Sequence, residues 1–472
     1  MVSFIVYDLG FMILFGIVVF FLLHKYRQNL KRQGWIFLYH SKFGLKFIDW
    51  TAKKFEKILK PLQYLVITSG YILMAIIIWM IGLSAWKYIT SEIPEQLQNV
   101  PPVAPLIPYF PKLFGLESFF PPLYFTYFLV ALAIVAVSHE FAHGIFARLN
   151  KIKVKTTGLA FFGPFFGAFV EPDEKQMYRQ KKFPQLSILA AGTFANVVMT
   201  ILFLGIMALF FSLSFQPAGV YFNAYPQSVV NVGQIDSING NFIDDFEDVE
   251  EYLVEEDFNV IAVGENMFLV PDNVLIQADE LGVEQIIAFD DAPAVRAKLT
   301  GPILEIDNVK VTSQPELSNT LLSHEPGDTI LIKTLDENEG IDIQEITLGE
   351  RDGKAYLGIG FILPEQKGFM GFVNRVIQSI KNPLTYYEPS WDGDFVQFLY
   401  DLLWWIVVIN ILVALFNMLP VSILDGGRFF YLTIWGITGK ESWGKKAYKW
   451  ATWLILLLLV LMMIRWVFVF AS

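Results

Sequence analysis

Six apolar runs of about 18 residues or more punctuate this 472-residue chain, at roughly 4–23, 63–86, 122–147, 185–214, 396–418 and 448–471. No other feature constrains the fold as much. In hydrocarbon every backbone N–H and C=O needs an internal partner, which runs of this length obtain as helices. The expected fold class is therefore a polytopic α-helical membrane protein of about six spans. Composition adds a second part. The segment 218–367 carries about 30 acidic and 7 basic side chains, so a chain of net charge −11 is an acidic insert of about −23 in a membrane frame of about +12. An acidic, soluble insert does not suit nucleic-acid binding. With no cysteine in the chain, disulfides and thiolate ligands are excluded.

Basic residues set an expected orientation. They crowd after the first run (Lys25, Arg27, Lys31, Arg32, Lys42, Lys46, Lys53, Lys54, Lys57, Lys60), after the third (Arg148, Lys151, Lys153, Lys155, Arg179, Lys181, Lys182) and before the sixth (Lys440, Lys445, Lys446, Lys449). If the spans alternate, all three clusters face the cytoplasm, while both termini and the acidic insert lie outside. No basic residue precedes the first run and "HKYRQNLKRQ" follows it, so it reads as a retained anchor.

The stretch 156–171, "TTGLAFFGPFFGAFVE", is apolar but short and broken by Gly158, Gly163, Pro164 and Gly167. Two readings stay open: a re-entrant hairpin beside the third span, or an interfacial loop resting on the bilayer. In the insert, "GQIDSINGNFIDDFEDVEEYL" reads as strand, Asn-Gly turn, short strand and amphipathic helix. "GPILEIDNVKVTSQPELSNTLLSHEPGDTILIKTL" repeats that order. Residues 368–395 read as an amphipathic surface helix running into a linker.

Against this frame, "ALAIVAVSHEFAHGIFARL" (131–149) places His139, Glu140 and His143 inside the third run. Residues four apart on a helix share a face, so His139 and His143 suit one metal ion, with Glu140 beside them to act on water. His139 lies only about 6 Å along the axis from the run's centre. Ionisable groups at such depth default to a functional reading, the bland one being a polar cluster that joins helices. A catalytic zinc needs a third protein ligand and an open position. His24 and His40 belong to the basic connection and His324 to the insert, so a membrane carboxylate is expected. Asp425 supplies it in "FNMLPVSILDGGRFF" (416–430), where Pro420 breaks the fifth run and Gly426 and Gly427 loosen the backbone.

"HEFAH" in one span and "NMLPVSILDGG" in a later one resemble the site-2 protease family of intramembrane zinc metalloproteases. "GPFFGAFVEPDE" and "AGTFANVV" (191–198) resemble that family's re-entrant hairpin and the small-residue helix after it. The resemblance implies one zinc ion per chain held by His139, His143 and Asp425 with water in the fourth place, and Glu140 as the acid–base catalyst. It implies that an unwound substrate pairs with a strand within 158–170, around Gly163, Phe165 and Gly167. It also implies that Asn417 hydrogen-bonds the substrate backbone. Asn196 reads either as a further substrate contact or as a buried Asn joining helices.

"APAVRAKLTGPILEIDNVKV" resembles the core of a PDZ module, although Pro302 follows Gly301 where an Asp would be usual. The insert is then a tandem PDZ-like region that either admits a peptide C-terminus or filters substrates sterically. The expected divisions are 1–121 (two spans), 122–217 (first catalytic part), 218–367 (insert), 368–395 (linker), 396–430 (second catalytic part) and 431–472 (last span). The function implied is cleavage of transmembrane protein substrates, pre-trimmed by another protease, in the cytoplasmic half of a cell membrane. Two rivals remain: a membrane zincin with a Glu as third ligand, and a non-enzymatic receptor or metal transporter.

Overall fold

The computed structural model describes residues 4–34, 36–90, 100–102, 104–117, 119–162, 165–243, 246, 249–254, 258–336, 340–363, 371, 374–375 and 378–471. Six helices are long and apolar enough to cross a membrane: span one (Phe4–Lys25), two (Glu56–Thr90), three (Phe125–Leu149), four (Lys182–Ser214), five (Gly393–Asn417) and six (Glu441–Phe468). Their outward side chains explain the apolar runs. Ile13, Phe20 and Trp453 are each more than 60% exposed in the protein alone. In water each would forgo about 1.5–3 kcal/mol of burial, whereas lipid tails accept them without that loss.

The chain forms two compact units, residues 1–210 with 397–472, and residues 211–396. In the first, Ile67 and Leu73 of span two, Phe146 and Ala147 of span three, Leu189 to Ala191 of span four and Met418 and Phe429 share one core. A polar seam crosses this core: Asn150 Nδ2 and Ser187 Oγ both donate to Gln63 Oε1, at 2.9 and 3.0 Å. Spans two, three and four are thereby tied through one side-chain amide.

The same unit holds a four-stranded antiparallel sheet, ordered β1 (Leu30–Gln33), β2 (Ile36–Ser41), β3 (Val154–Phe162), β4 (Phe165–Pro172). Residues 156–162 and 165–171 therefore lie on two paired antiparallel strands. The basic connection after span one is more than a connection: it contributes β1, β2 and a helix, Leu45–Lys54. The run "WIFLYHS" carries the aromatic and β-branched residues of a strand, a signal the count of lysines obscures. Gly158 sits where β2 and β3 meet. A Cβ there would lie 2.1 Å from the Tyr39 carbonyl oxygen, so only glycine allows the pairing.

The second unit is built on two sheets. One runs β6 (Gln227–Asn231), β11 (Gln285–Asp290), β10 (Asn266–Val270), β9 (Asn259–Val263), β7 (Ser237–Ile238), β8 (Asn241–Phe242). The other runs β15 (Ile341–Thr347), β14 (Thr329–Leu335), β12 (Ile303–Ile306), β5 (Phe215–Val220), β18 (Thr385–Pro389), with β13 (Val309–Lys310) beside β12, while β16 (Gly349–Arg351) and β17 (Lys354–Tyr356) pair as a separate ribbon. Asn239 and Gly240 turn between β7 and β8 with φ of 49° and 80°, the left-handed pair a two-residue hairpin requires. The helix expected next is only a 3₁₀ turn, Val249–Tyr252, among the described residues. Residues 368–370, 372–373 and 376–377, where the surface helix was expected, lie outside the described residues. The later part of 368–395 is no linker, since β18 pairs along β5 and returns the chain to the sheet.

Candidate active site

Span three presents His139 and His143 on one face, with ring centroids 4.6 Å apart. Their Nε2 atoms are 3.0 Å apart, and each lies 3.2 Å from Asp425 Oδ2. His139 is only 7% exposed. Span four forms the wall behind them. The His143 Nδ1–H donates to the Ile188 carbonyl at 2.6 Å, and His139 Nδ1 lies 3.1 Å from the side-chain amide nitrogen of Asn196. Gly192 stands between these two contacts. A Cβ on it would lie 2.5 Å from both Nε2 atoms, so the site exists only because that position has no side chain.

Asp425 arrives differently from the sequence expectation. It is the first residue of a helix, Asp425–Thr438, with Leu424 as its N-cap. Gly426 and Gly427 do not loosen the backbone: both are buried in that helix's first turn. A Cβ on Gly426 would meet the Met418 carbonyl carbon at 2.3 Å, and one on Gly427 the Val421 carbonyl oxygen at 2.2 Å. Two side-chain-free residues let the helix start press against the chain leaving span five, which fixes where Asp425 points.

The three facing atoms fit a metal. With Nδ1–H of His143 committed to Ile188, neutral His143 turns a lone pair toward the Asp425 carboxylate, a repulsive pairing unless a cation lies between. A tetrahedral ion with bonds of about 2.0–2.1 Å holds its ligand atoms about 3.3 Å apart, and the observed separations are 3.0 to 3.2 Å. Among the described residues this is the one group of three His, Cys, Asp or Glu whose ligand atoms converge in this way.

Glu140 is anchored on the other side. Its Oε2 accepts the Val170 backbone N–H of β4 at 2.9 Å. Glu140, His143 and Asp425 line one cavity of about 780 Å³ with Phe169, Val170 and Arg428. His40 of β2 lines it too, although sequence reasoning had set that residue aside. Its Nδ1 lies 3.0 Å from Thr156 Oγ1, which in turn donates to Glu171, and its Nε2 is buried without a partner among the described residues. Sheet pairing brings it across from β3, a contact that linear spacing does not encode.

The other expected residues are distributed unevenly. Asn196 is fully buried and reaches His139. Gly167 lies on β4 with open space where its Cβ would be. Phe165 opens β4, and Gly163 lies outside the described residues. Asn417 ends span five half-buried, outside the cavity lining, and its amide has no hydrogen-bond partner among the described residues.

A relative from Methanocaldococcus jannaschii, described as an uncharacterized protein, is 27% identical over 284 residues, covering 57% of this chain and 71% of its own length. The sequence model of Peptidase family M50 matches residues 127–462, a span that runs from the start of the histidine helix through Asp425 into span six. The converging His139, His143 and Asp425 lie inside that match, and the chain belongs to Peptidase family M50, the site-2 family of membrane metallopeptidases.

Proposed function

We propose that this protein is a zinc endopeptidase that cleaves transmembrane segments of membrane-anchored substrates within the bilayer, as a step in regulated intramembrane proteolysis. The observation that carries it is the convergence of Asp425 with His139, His143 and Glu140 of span three, a helix apolar enough to cross a membrane. When bound by these three residues, zinc supplies Lewis acidity, polarising a peptide carbonyl and lowering the pKa of water to about 7. Every other step belongs to the chain. Glu140 has one carboxylate oxygen held by the Val170 N–H, which leaves the other to take a proton from water and pass it to the leaving amine.

Substrate positioning follows from β4, the edge of its sheet. The Val170 N–H points to Glu140 rather than to β3. By antiparallel alternation the outward backbone groups are those of Phe166, Ala168 and Val170. An unwound substrate adding as a fifth strand pairs with Ala168 and delivers its carbonyl beside Glu140. Gly167 keeps that edge unobstructed, and Asn417 is the amide available to the substrate's far side. On this reading the basic clusters support a site in the cytoplasmic half of the membrane, a hairpin re-entrant from that face, and both termini and the acidic unit outside.

The second unit supports a partner site. Among the described residues the backbone N–H groups of Leu357, Gly358 and Ile359 have no hydrogen-bond partner, and Leu357 is only 2% exposed. They line a groove of about 220 Å³ walled by Leu317, Leu321 and Phe361. Unpaired amides beside an apolar slot suit a peptide's C-terminal carboxylate, such as one left by earlier trimming.

The test compares wild type with Glu140→Gln in detergent. Both are expected to hold about one zinc per chain, and only wild type to cut a synthetic transmembrane substrate inside its span. Zinc absent from both sinks the reading.

A further inference from the structure

The contacts between span four and the two histidines come from Ile188, Gly192 and Asn196, spaced four apart along one helix face. Each does a different thing. The Ile188 carbonyl fixes the His143 tautomer, and Gly192 makes room for both rings. We infer that Asn196 is the positioning residue that fixes His139 in its metal-binding tautomer, so that span four is the template for both imidazole ligands. This rests on the zinc reading above and says which residue outside the ligand set makes it work.

A neutral imidazole carries one N–H. For Nε2 to offer a lone pair to a metal, Nδ1 must hold the proton and donate it. With the Asn196 amide nitrogen toward His139, as the contact at 3.1 Å is arranged, Nδ1 accepts, and the ring proton sits on Nε2 between the would-be ligands. That arrangement suits the metal-free protein. A half-turn of the amide exchanges its two ends, because oxygen and nitrogen occupy equivalent positions. The oxygen then accepts from His139 Nδ1–H, and the amide nitrogen donates to Ser138 Oγ, now 3.4 Å from the other end. Ser138 is free to accept, since its own hydroxyl already donates to the Ile134 carbonyl at 2.8 Å. His139 Nδ1–H and Ser138 Oγ then each have a partner in the Asn196 amide, and Nε2 is bare. Asn196 is fully buried, so no water substitutes for its amide.

The test measures metal affinity in detergent-purified protein by cobalt titration against a chelator, reading the cobalt absorption bands, with thermal unfolding of the metal-free proteins as the fold control. Asn196→Leu fills the same space without an acceptor and is expected to weaken cobalt binding about 10–100-fold while the metal-free unfolding transition stays cooperative. Asn196→Asp keeps the acceptor and loses the donor, and is expected to bind within a few-fold of wild type. Affinity unchanged in Asn196→Leu overturns the inference. So does equal loss in Asn196→Asp, which identifies the amide N–H as the needed group, and this arm decides the matter if the Leu variant does not fold. Wild type that binds no cobalt or zinc overturns the zinc reading itself, a distinguishable result.

Discussion

The histidine helix meets a carboxylate from a distant part of the chain toward each end, one buried and one half-buried, and the two are handled in opposite ways. At its start, Asp8 of span one is 2% exposed and accepts from the Tyr109 hydroxyl (2.7 Å), the Phe125 and Thr126 amides (2.6 and 3.0 Å) and the Thr126 hydroxyl (2.6 Å). It does the work of an N-cap from another helix, answering the first orphan N–H groups of span three and the positive end of its dipole. Toward the other end, Asp425 faces two imidazole nitrogens that lie 3.0 Å from each other. Both carboxylates pack beside the same apolar helix, and that alone does not tell them apart. What separates them is the partner set: four protein donors complete Asp8, whereas Asp425 faces two imidazole nitrogens in an arrangement that could hold a metal ion.

The largest effect expected from this contrast is at Asp425. Asp425→Ala should lower zinc from about one per chain to near zero and abolish cleavage, with the helical circular dichroism retained; full zinc occupancy would break the contrast at its functional end. Glu140→Gln should keep the metal and slow cleavage by at least about 10²–10⁴-fold, read in a single-turnover assay.

Asp8→Ala should show the reverse pattern. It orphans four donors, so a loss on the order of 3 kcal/mol is expected in detergent unfolding, with zinc per folded chain unchanged. Zinc lost from folded Asp8→Ala protein would show that the two ends are not independent. Gly426→Ala sharpens the functional side without touching a ligand. Its methyl group pushes the Asp425 helix off the Met418 backbone, costing about 1–3 kcal/mol, and metal affinity should fall about tenfold in the same cobalt titration.

The smallest effect belongs to a carboxylate satisfied in full solvent. Glu316 accepts from the Thr312 amide and hydroxyl at 2.9 and 2.7 Å at the start of the helix Gln314–Leu322, and these bonds hold its pKa below the ordinary 4.5. A lowered folded pKa means the contribution is complete above the unfolded value and disappears as pH falls through the folded one. Glu316→Gln should therefore unfold close to wild type at pH 7 and differ from it even less in acid.

The convergence of the candidate metal ligands was legible because their motifs are local. His139 and His143 share a helix face by spacing alone, and Asp425 carries its own breaker and glycines. The role of those glycines was not legible, since a close approach to Met418 and Val421 looks the same in sequence as a flexible turn. Asp8 gave no signal either, because its four donors lie a hundred or more positions away. His40 failed for a related reason: only the pairing of β2 with β3 brings it into the cavity.

That pairing also bears on how small a working protease of this kind can be. The family match starts at residue 127, yet β3 finds its neighbour in Ile36–Ser41. Trimming the protein back to the matched region would strip β3 of its partner and bare a row of backbone groups along an aromatic strand, a template for aggregation. The N-terminal segment is thus not a removable tether: its β2 completes the sheet and carries His40 into the wall of the candidate site.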